Sequence, residues 1–307
     1  MRLVYLGTPS DAVPPLRALV DAGHEIVLVV TQPDRRRGRG AAEGPSPVKA
    51  AALELGLPVV TPERARDVAD QVSVSGAELG VVVAFGQLLP QSLLDALPLG
   101  FVNVHFSLLP RWRGAAPVER AILAGDHETG VCLMQIVAAL DAGPVFACRA
   151  VAIDDTDTAA ELHERLVGAA VELLRDDLDT VASREPAEQQ GEPTYAEKLS
   201  VDEFRLDPHR PAGELARVVR AGNPKPGAWC TVHGRRVKVH RAHAVAGAPL
   251  PTVGAIGGDA ALQTADGVLV LDEVQPEGKA RMFGTDWRRG LHGDVVVDPV
   301  AAAPGPS

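Results

Sequence analysis

A doubly wound, mostly parallel α/β sheet followed by a small β-barrel is the architecture this sequence predicts. Three observations point to it. Residues 26–30 and 79–84 are apolar without polar alternation, as expected of strands buried on both faces of a parallel sheet. Such runs alternate with helical segments through about residue 180, the order that βαβ units require. Beyond residue 228 the pattern changes to short alternating runs separated by regular turn signals, which suits a barrel.

The elements follow in order. Residues 2–6 make an apolar run that ends at Gly7, a strand entering a loop. Ser10 is placed to cap a helix over 11–21 that Gly23 closes, with Pro14 and Pro15 tolerated only in its first turn. After the strand at 26–30 a polar Gly/Pro/Arg loop covers 32–46, then a helix holds Ala50 to Leu55 and a short strand lies near 58–60. Strands at 79–84 and 101–105 come next, then a helix at 116–124, strands at 130–137 and 145–153, and a closing helix at 158–180. Residues 183–211, rich in Pro, Glu, Gln and Gly, read as a linker. A helix at 212–221 and short runs near 228–233, 236–244, 252–256, 260–264 and 268–275 form the second domain. The division is therefore 1–182, 183–211 and 212–300, with a disordered end at 301–307.

A chain of 307 residues has room for two cores. Its first apolar run is too short for a secretory signal, and no uncharged apolar segment approaches bilayer-spanning length. Cys132, Cys148 and Cys230 are odd in number and form no Cys-x-x-Cys pair, which argues for free thiols in a reducing cytosol and against a structural zinc site. A net charge of −10 disfavours a polyanionic partner on average, but the charge is unevenly placed. Arg35, Arg36, Arg37 and Arg39 crowd one Gly-rich loop. Between 211 and 243, Arg217, Arg220, Lys225, Arg235, Arg236, Lys238 and Arg241 are set against Glu214 alone. Two basic patches on an acidic body suit local binding of nucleic acid; solvated surface charge is the alternative.

The chemistry concentrates in residues 101–117. Asn103 and His105 stand two apart on a strand and so share a face. An imidazole that moves a proton beside an amide that donates to a developing oxyanion suits acyl transfer. In parallel α/β sheets ligands bind outside the carboxyl ends of the strands, where this pair sits. Taken alone, His105 reads as a core histidine, and Asp141, before Gly143, as a turn residue. Gly7-Thr-Pro is no dinucleotide fingerprint, so no NAD or FAD is inferred.

Asn103-Val-His105-Phe-Ser107-Leu-Leu-Pro110, Arg111-Trp-Arg-Gly-Ala-Ala-Pro117 and Leu140-Asp141-Ala-Gly143 resemble the folate-dependent formyltransferases. Likeness continues in Leu6-Gly-Thr-Pro9, Thr31-Gln-Pro-Asp34, Pro45-Ser-Pro-Val-Lys49, Val83-Ala-Phe-Gly86 and Thr194-Tyr-Ala-Glu-Lys-Leu-Ser200. The resemblance implies a Rossmann-like catalytic domain, an OB-like C-terminal domain, and metal-free transfer of a formyl group from 10-formyltetrahydrofolate to an amine. It implies Asn103, His105 and Asp141 as catalytic residues and Ser107, Leu108, Leu109 and Pro110 as folate contacts. The arginine loop and the 194–200 string point to the branch that formylates initiator methionyl-tRNA for translation initiation. There Arg39, with Arg36 and Arg37, would meet the acceptor stem. The expected enzyme is a cytosolic monomer. Two departures from the family pattern stand out. Val137 and Ala139 stand where many members carry an acidic residue and a glycine, in a loop that shapes the pterin pocket, and Phe106 stands where glycine is frequent. Formyltransferases of sugar or nucleotide amines, a hydrolase of the same superfamily and a catalytically silent RNA-binding module are the rival readings.

Overall fold

The computed structural model describes residues 1–36, 43–246 and 252–299. It falls into two compact units: Met1–Pro117, Glu128–Ala152 and His163–Glu197 form one, and Val118–His127, Ile153–Leu162 and the chain from Lys198 form the other.

To residue 197 the elements are β1 (Arg2–Gly7), α1 (Val13–Asp21), β2 (Glu25–Val30), β3 (Arg35–Arg36), β4 (Glu43–Gly44), α2 (Pro47–Glu54), β5 (Val59–Val60), α3 (Ala69–Ser73), β6 (Leu79–Val83) and α4 (Gln91–Leu94). Then follow β7 (Phe101–His105), β8 (Arg113–Gly114), α5 (Pro117–Ala124), β9 (Glu128–Gln135), β10 (Val145–Ala152), α6 (Ala159–Asp177) and β11 (Tyr195–Ala196). The first unit is built on a sheet of order β10-β9-β7-β6-β1-β2-β5. From β5 to β7 every pairing is parallel. The chain steps outward from β1 to β2 and β5, then returns to lay β6 on the other side of β1. The topological switch therefore falls between the carboxyl ends of β1 and β6, where Thr8 Oγ1 donates to the Phe85 carbonyl at 2.9 Å.

Local chemistry explains the elements. All of β6 is buried, as its unbroken apolar run requires. Gly80 in that strand lies beneath Phe101, whose ring would come within 2.0 Å of a Cβ there. Ser46 caps α2, its hydroxyl accepting from Lys49 N at 2.9 Å. Ser10 does not cap α1: it opens a short 3-10 turn, Ser10–Ala12, and its hydroxyl donates to Asp11.

One expectation, that of free thiols, fails at β9 and β10. These strands are antiparallel, β9 to β7 and β10 to β9. For β9 and β10 the connection explains this: residues 136–144 contain no helix, and strands joined without a crossover helix pair in this sense. The antiparallel register sets Cys132 directly opposite Cys148, Cα atoms 4.1 Å apart, and the two form a disulfide rather than free thiols. Their separation of 16 along the chain hides a pairing that exists only across strands. Cys230 is free, and burial, with a smaller contribution from Asp298, pushes its thiol up to about 12.

The second unit contains α7 (Ala212–Ala221), β12 (Ala228–Val232), β13 (Arg235–Val245), β14 (Ala261–Gln263), β15 (Val268–Pro276), β16 (Met282–Phe283) and α8 (Gly284–Arg289). Its antiparallel sheet runs β12-β13-β15-β14, with β16 on β15. Single bridges join Ile256 to Leu262, Ala255 to Val296, and Val297 to Val232.

His240, 7% exposed on β13, has Nε2 3.1 Å from Gln275 Oε1. Burial holds its pKa below the ordinary 6.5. The unfolded chain then takes up a proton near pH 6.5 that the folded chain resists, so this contribution is full above that pH and lost below it. Acidification from about pH 7.5 to 5.5 should lower the melting temperature, and less so in His240→Gln; equal falls in both proteins would exclude His240 as a source.

Candidate active site

The site is assembled from the end of β7, the turn after it, β8 and the loop before β10. Asn103 is half-buried on β7 and its side chain makes no hydrogen bond to another described residue. Its amide is thus available to a ligand. His105, 5% exposed, has Nε2 2.8 Å from the Trp112 carbonyl. A carbonyl only accepts, so Nε2 carries the hydrogen and Nδ1 is the nitrogen left for proton traffic. Asp141 Oδ2 lies 3.7 Å from Nδ1 and accepts from Gly114 N at 2.8 Å.

Backbone strain marks the same region. Trp112 (φ +61°), Asp141 (φ +45°) and Ala84 (φ +47°), just beyond β6, occupy the left-handed region that non-glycine residues avoid. Such conformations persist where surrounding contacts over-determine them. Trp112 N donates to Thr194 Oγ1 at 2.9 Å, Arg113 N to the Thr194 carbonyl at 2.9 Å, and β11 pairs with β8. This small ribbon aims the Trp112 carbonyl at His105 and the Gly114 N–H at Asp141. Gly114 (φ +124°) is required here, because a Cβ would stand 2.7 Å from the Ala196 carbonyl.

The turn from Ser107 to Pro110 is folded on itself. Ser107 is buried and its hydroxyl donates to the Arg111 carbonyl at 2.5 Å. Leu108, Leu109 and Pro110 are half-exposed beyond His105. Leu108 packs over Gly130, where a Cβ would meet it at 2.5 Å. The loop that carries Asp141 also leaves Val137 (37%) and Leu140 (53%) exposed, and Leu88 after β6 is 83% exposed. Leu140, exposed next to the Asp141 that approaches His105, and half-exposed Leu108 and Leu109 after the strand bearing Asn103 suit a flat ligand with apolar faces and a polar edge.

The structure thus brings His105 and Asp141 together and sets Asn103 on the same strand. Arg37 and Arg39 lie outside the described residues, and Arg36 is placed only as backbone in β3. Of the second basic patch, Arg217 donates to the Leu123 carbonyl, Arg220 to those of Asp154 and Asp157, and Arg241 lies 3.7 Å from Glu161. These arginines line a cavity of about 720 Å³ in the second unit that contains none of the three candidate catalytic residues. The patch therefore meets backbone carbonyls and the Glu161 carboxylate from distant sequence, whereas Glu214 pairs with Arg210. Sequence reasoning missed the Trp112 carbonyl, Thr194 and Gln189. Thr194 stood within a quoted motif, whereas Gln189 lay in a stretch read as linker.

Residues 1–178 match the family model described as "Formyl transferase", and 198–292 match "Formyl transferase, C-terminal domain". The chain is 45% identical to "Methionyl-tRNA formyltransferase" of Paracoccus denitrificans over 95% of this chain and 98% of that protein. It is 48% identical to the protein of the same name from Thiobacillus denitrificans, over 94% and 96%. Among solved structures, HypX from Aquifex aeolicus in complex with tetrahydrofolic acid superposes with a TM-score of 0.65 at 17% identity, over 94% of this chain and 46% of that longer one. WlaRD, a sugar 3N-formyl transferase, superposes at 0.66 with 16% identity, over 91% and 99%. At such identities these two structures establish the fold.

Proposed function

The chain belongs to the methionyl-tRNA formyltransferase family, and on that footing we propose how its own residues carry the reaction. The enzyme transfers the formyl group of 10-formyltetrahydrofolate to the free α-amino group of methionyl-tRNA, for translation initiation. The folate supplies the activated one-carbon unit. The bond from the formyl carbon to N10 breaks, a bond to the methionyl nitrogen forms, and the proton lost by the amine is delivered to N10.

Asn103 donates its amide N–H to the formyl oxygen as negative charge gathers there. His105 Nδ1 accepts and returns the moving proton, while the Trp112 carbonyl fixes the ring through Nε2. Asp141 balances the charge that Nδ1 acquires, and Gly114 N–H aims its carboxylate. Leu108, Leu109 and Pro110 hold the folate, Ser107 shaping their turn through its bond to the Arg111 carbonyl, with Leu140 and Val137 available to its apolar faces. The observation that carries this assignment is the 3.7 Å approach of Asp141 to His105 on the strand that bears Asn103.

The division into a catalytic domain over 1–182, a connecting segment over 183–211 and a tRNA-side domain over 212–300 belongs to the same proposal. The bridges from β14 through 255–256 and 296–297 back to β12 support an OB-like barrel. Arg39, with Arg36 and Arg37, is assigned to the acceptor stem. The Cys132–Cys148 disulfide removes the cysteine argument for a reducing compartment. A cytosolic monomer is proposed because its substrate is a charged tRNA.

The test is transfer of labelled formyl from 10-formyltetrahydrofolate to methionyl-tRNA. Label should appear on the initiator and not on the elongator tRNA. A protein that binds folate yet labels only nucleotide-linked sugar amines or glycinamide ribonucleotide would overturn the tRNA reading.

A further inference from the structure

We propose that Gln189 is a positioning residue for the transfer, holding Asp141 in place through the backbone of the 141–143 loop. The inference rests on the reading of Asp141 as the partner of His105. Gln189 lies in a polar stretch where Ala187, Glu188 and Gln190 are exposed, yet its own side chain is turned inward and half-buried. Its Nε2 donates to the Asp141 carbonyl at 2.9 Å and to the Gly143 carbonyl at 2.8 Å. Its Oε1 accepts from Arg113 Nε at 3.0 Å and Nη2 at 2.7 Å. A primary amide has two N–H donors and two acceptor lone pairs, and this one spends all of them on a single bridge.

The bridge closes a loop of contacts. Arg113, which holds Gln189, is followed by Gly114, whose N–H holds Asp141 Oδ2 at 2.8 Å. Asp141 is thus gripped at its carboxylate from β8 and at its carbonyl from Gln189, and both grips trace to the same two-residue strand. That double hold accounts for the φ of +45° at Asp141, which a free loop would relax. A glutamine that merely solvated a linker would show none of this pairing. Gln189 touches no reacting atom; it acts by keeping a carboxylate at the distance His105 requires.

The experiment compares Gln189→Leu, Gln189→Glu, Asp141→Ala and the double variant Asp141→Ala/Gln189→Leu in formyl transfer to initiator methionyl-tRNA. Gln189→Leu should lower kcat by about 10- to 100-fold, since misplacement of about 1 Å costs that much, with KM for both substrates within about threefold. Gln189→Glu keeps the acceptor for Arg113 but loses both donated bonds, so it should lose kcat similarly while melting near the parent temperature. It carries the test should the leucine variant fail to fold. In the Asp141→Ala background the leucine substitution should cost almost nothing more. Full activity in Gln189→Glu would show that the residue only anchors Arg113 and would overturn the proposal, as would undiminished additivity with Asp141→Ala. An unimpaired Asp141→Ala would instead remove the reading of Asp141 on which the inference rests.

Discussion

His105→Ala should lower kcat for formyl transfer by about 10³-fold with KM for the formyl donor nearly unchanged, within the range of about 10² to 10⁴ for a lost general acid–base group. The geometry dictates the split between the constants. His105 is almost wholly buried, pinned through Nε2, and presents Nδ1 toward Asp141, so little of its surface is left to bind substrate in the ground state. Asn103→Ala should cost about 10²- to 10³-fold, the usual effect of losing one donor to a developing oxyanion. Asp141→Ala acts on the same imidazole, so the His105→Ala/Asp141→Ala double variant should be scarcely slower than His105→Ala alone. Steady-state kinetics on the three single variants and the double variant decide this. Losses that multiply would mean that Asp141 acts independently of His105, and losses in KM alone would make the three residues binding groups.

The parts of the fold set by local sequence were legible, and the parts set by register were not. Uninterrupted apolar runs located β2 and β6 because a parallel strand buried on both faces leaves no polar alternation. The antiparallel orientation of β9 and β10 is not written in their composition; for β10 the absence of a helix in residues 136–144 is its local sign. The Cys132–Cys148 disulfide is the direct product of that register. Short elements such as α3, α4 and α8 went unseen, being too brief for a helical period to emerge.

At the site, Asn103 and His105 could be placed on one face because alternation within a strand is a local rule. Asp141 could be singled out only by family likeness, since Asp before a glycine turn is otherwise unremarkable. What holds these side chains came from far along the chain. The Trp112 carbonyl is aimed by Thr194, and the Asp141 carbonyl is held by Gln189. Contacts over such distances leave no periodic trace in the residues between. The basic patch shows the same limit from the other side: read locally it faced one acid, yet Arg241 meets Glu161 from α6.

Gly143→Ala should lower kcat by about 100-fold and destabilise the chain by about 1–3 kcal/mol, the usual cost of forcing atoms into filled space. A Cβ at this position would stand 1.9 Å from the Gln135 carbonyl oxygen and 3.0 Å from its carbon. Those are backbone atoms of β9, held by the Gln135 N–H donating to the Pro144 carbonyl at 2.9 Å, so they cannot swing aside as a side chain would. The loop itself must move. Asp141 is two residues away, and the Gly143 carbonyl is one of the two that Gln189 holds at 2.8 Å, so the shift passes directly to the carboxylate facing His105. Gly168→Ala is the control: nothing lies within 4 Å of its Cβ, and alanine within α6 should add up to about 1 kcal/mol of stability without touching activity. Melting curves and kcat measured well below the transition separate the two effects. A Gly143→Ala enzyme with a lowered melting temperature and parental kcat would show that Asp141 finds its place without this loop geometry. A fall in kcat larger than the loss of folded protein explains would show that the close approach of Gly143 to β9 sets the distance at which Asp141 works.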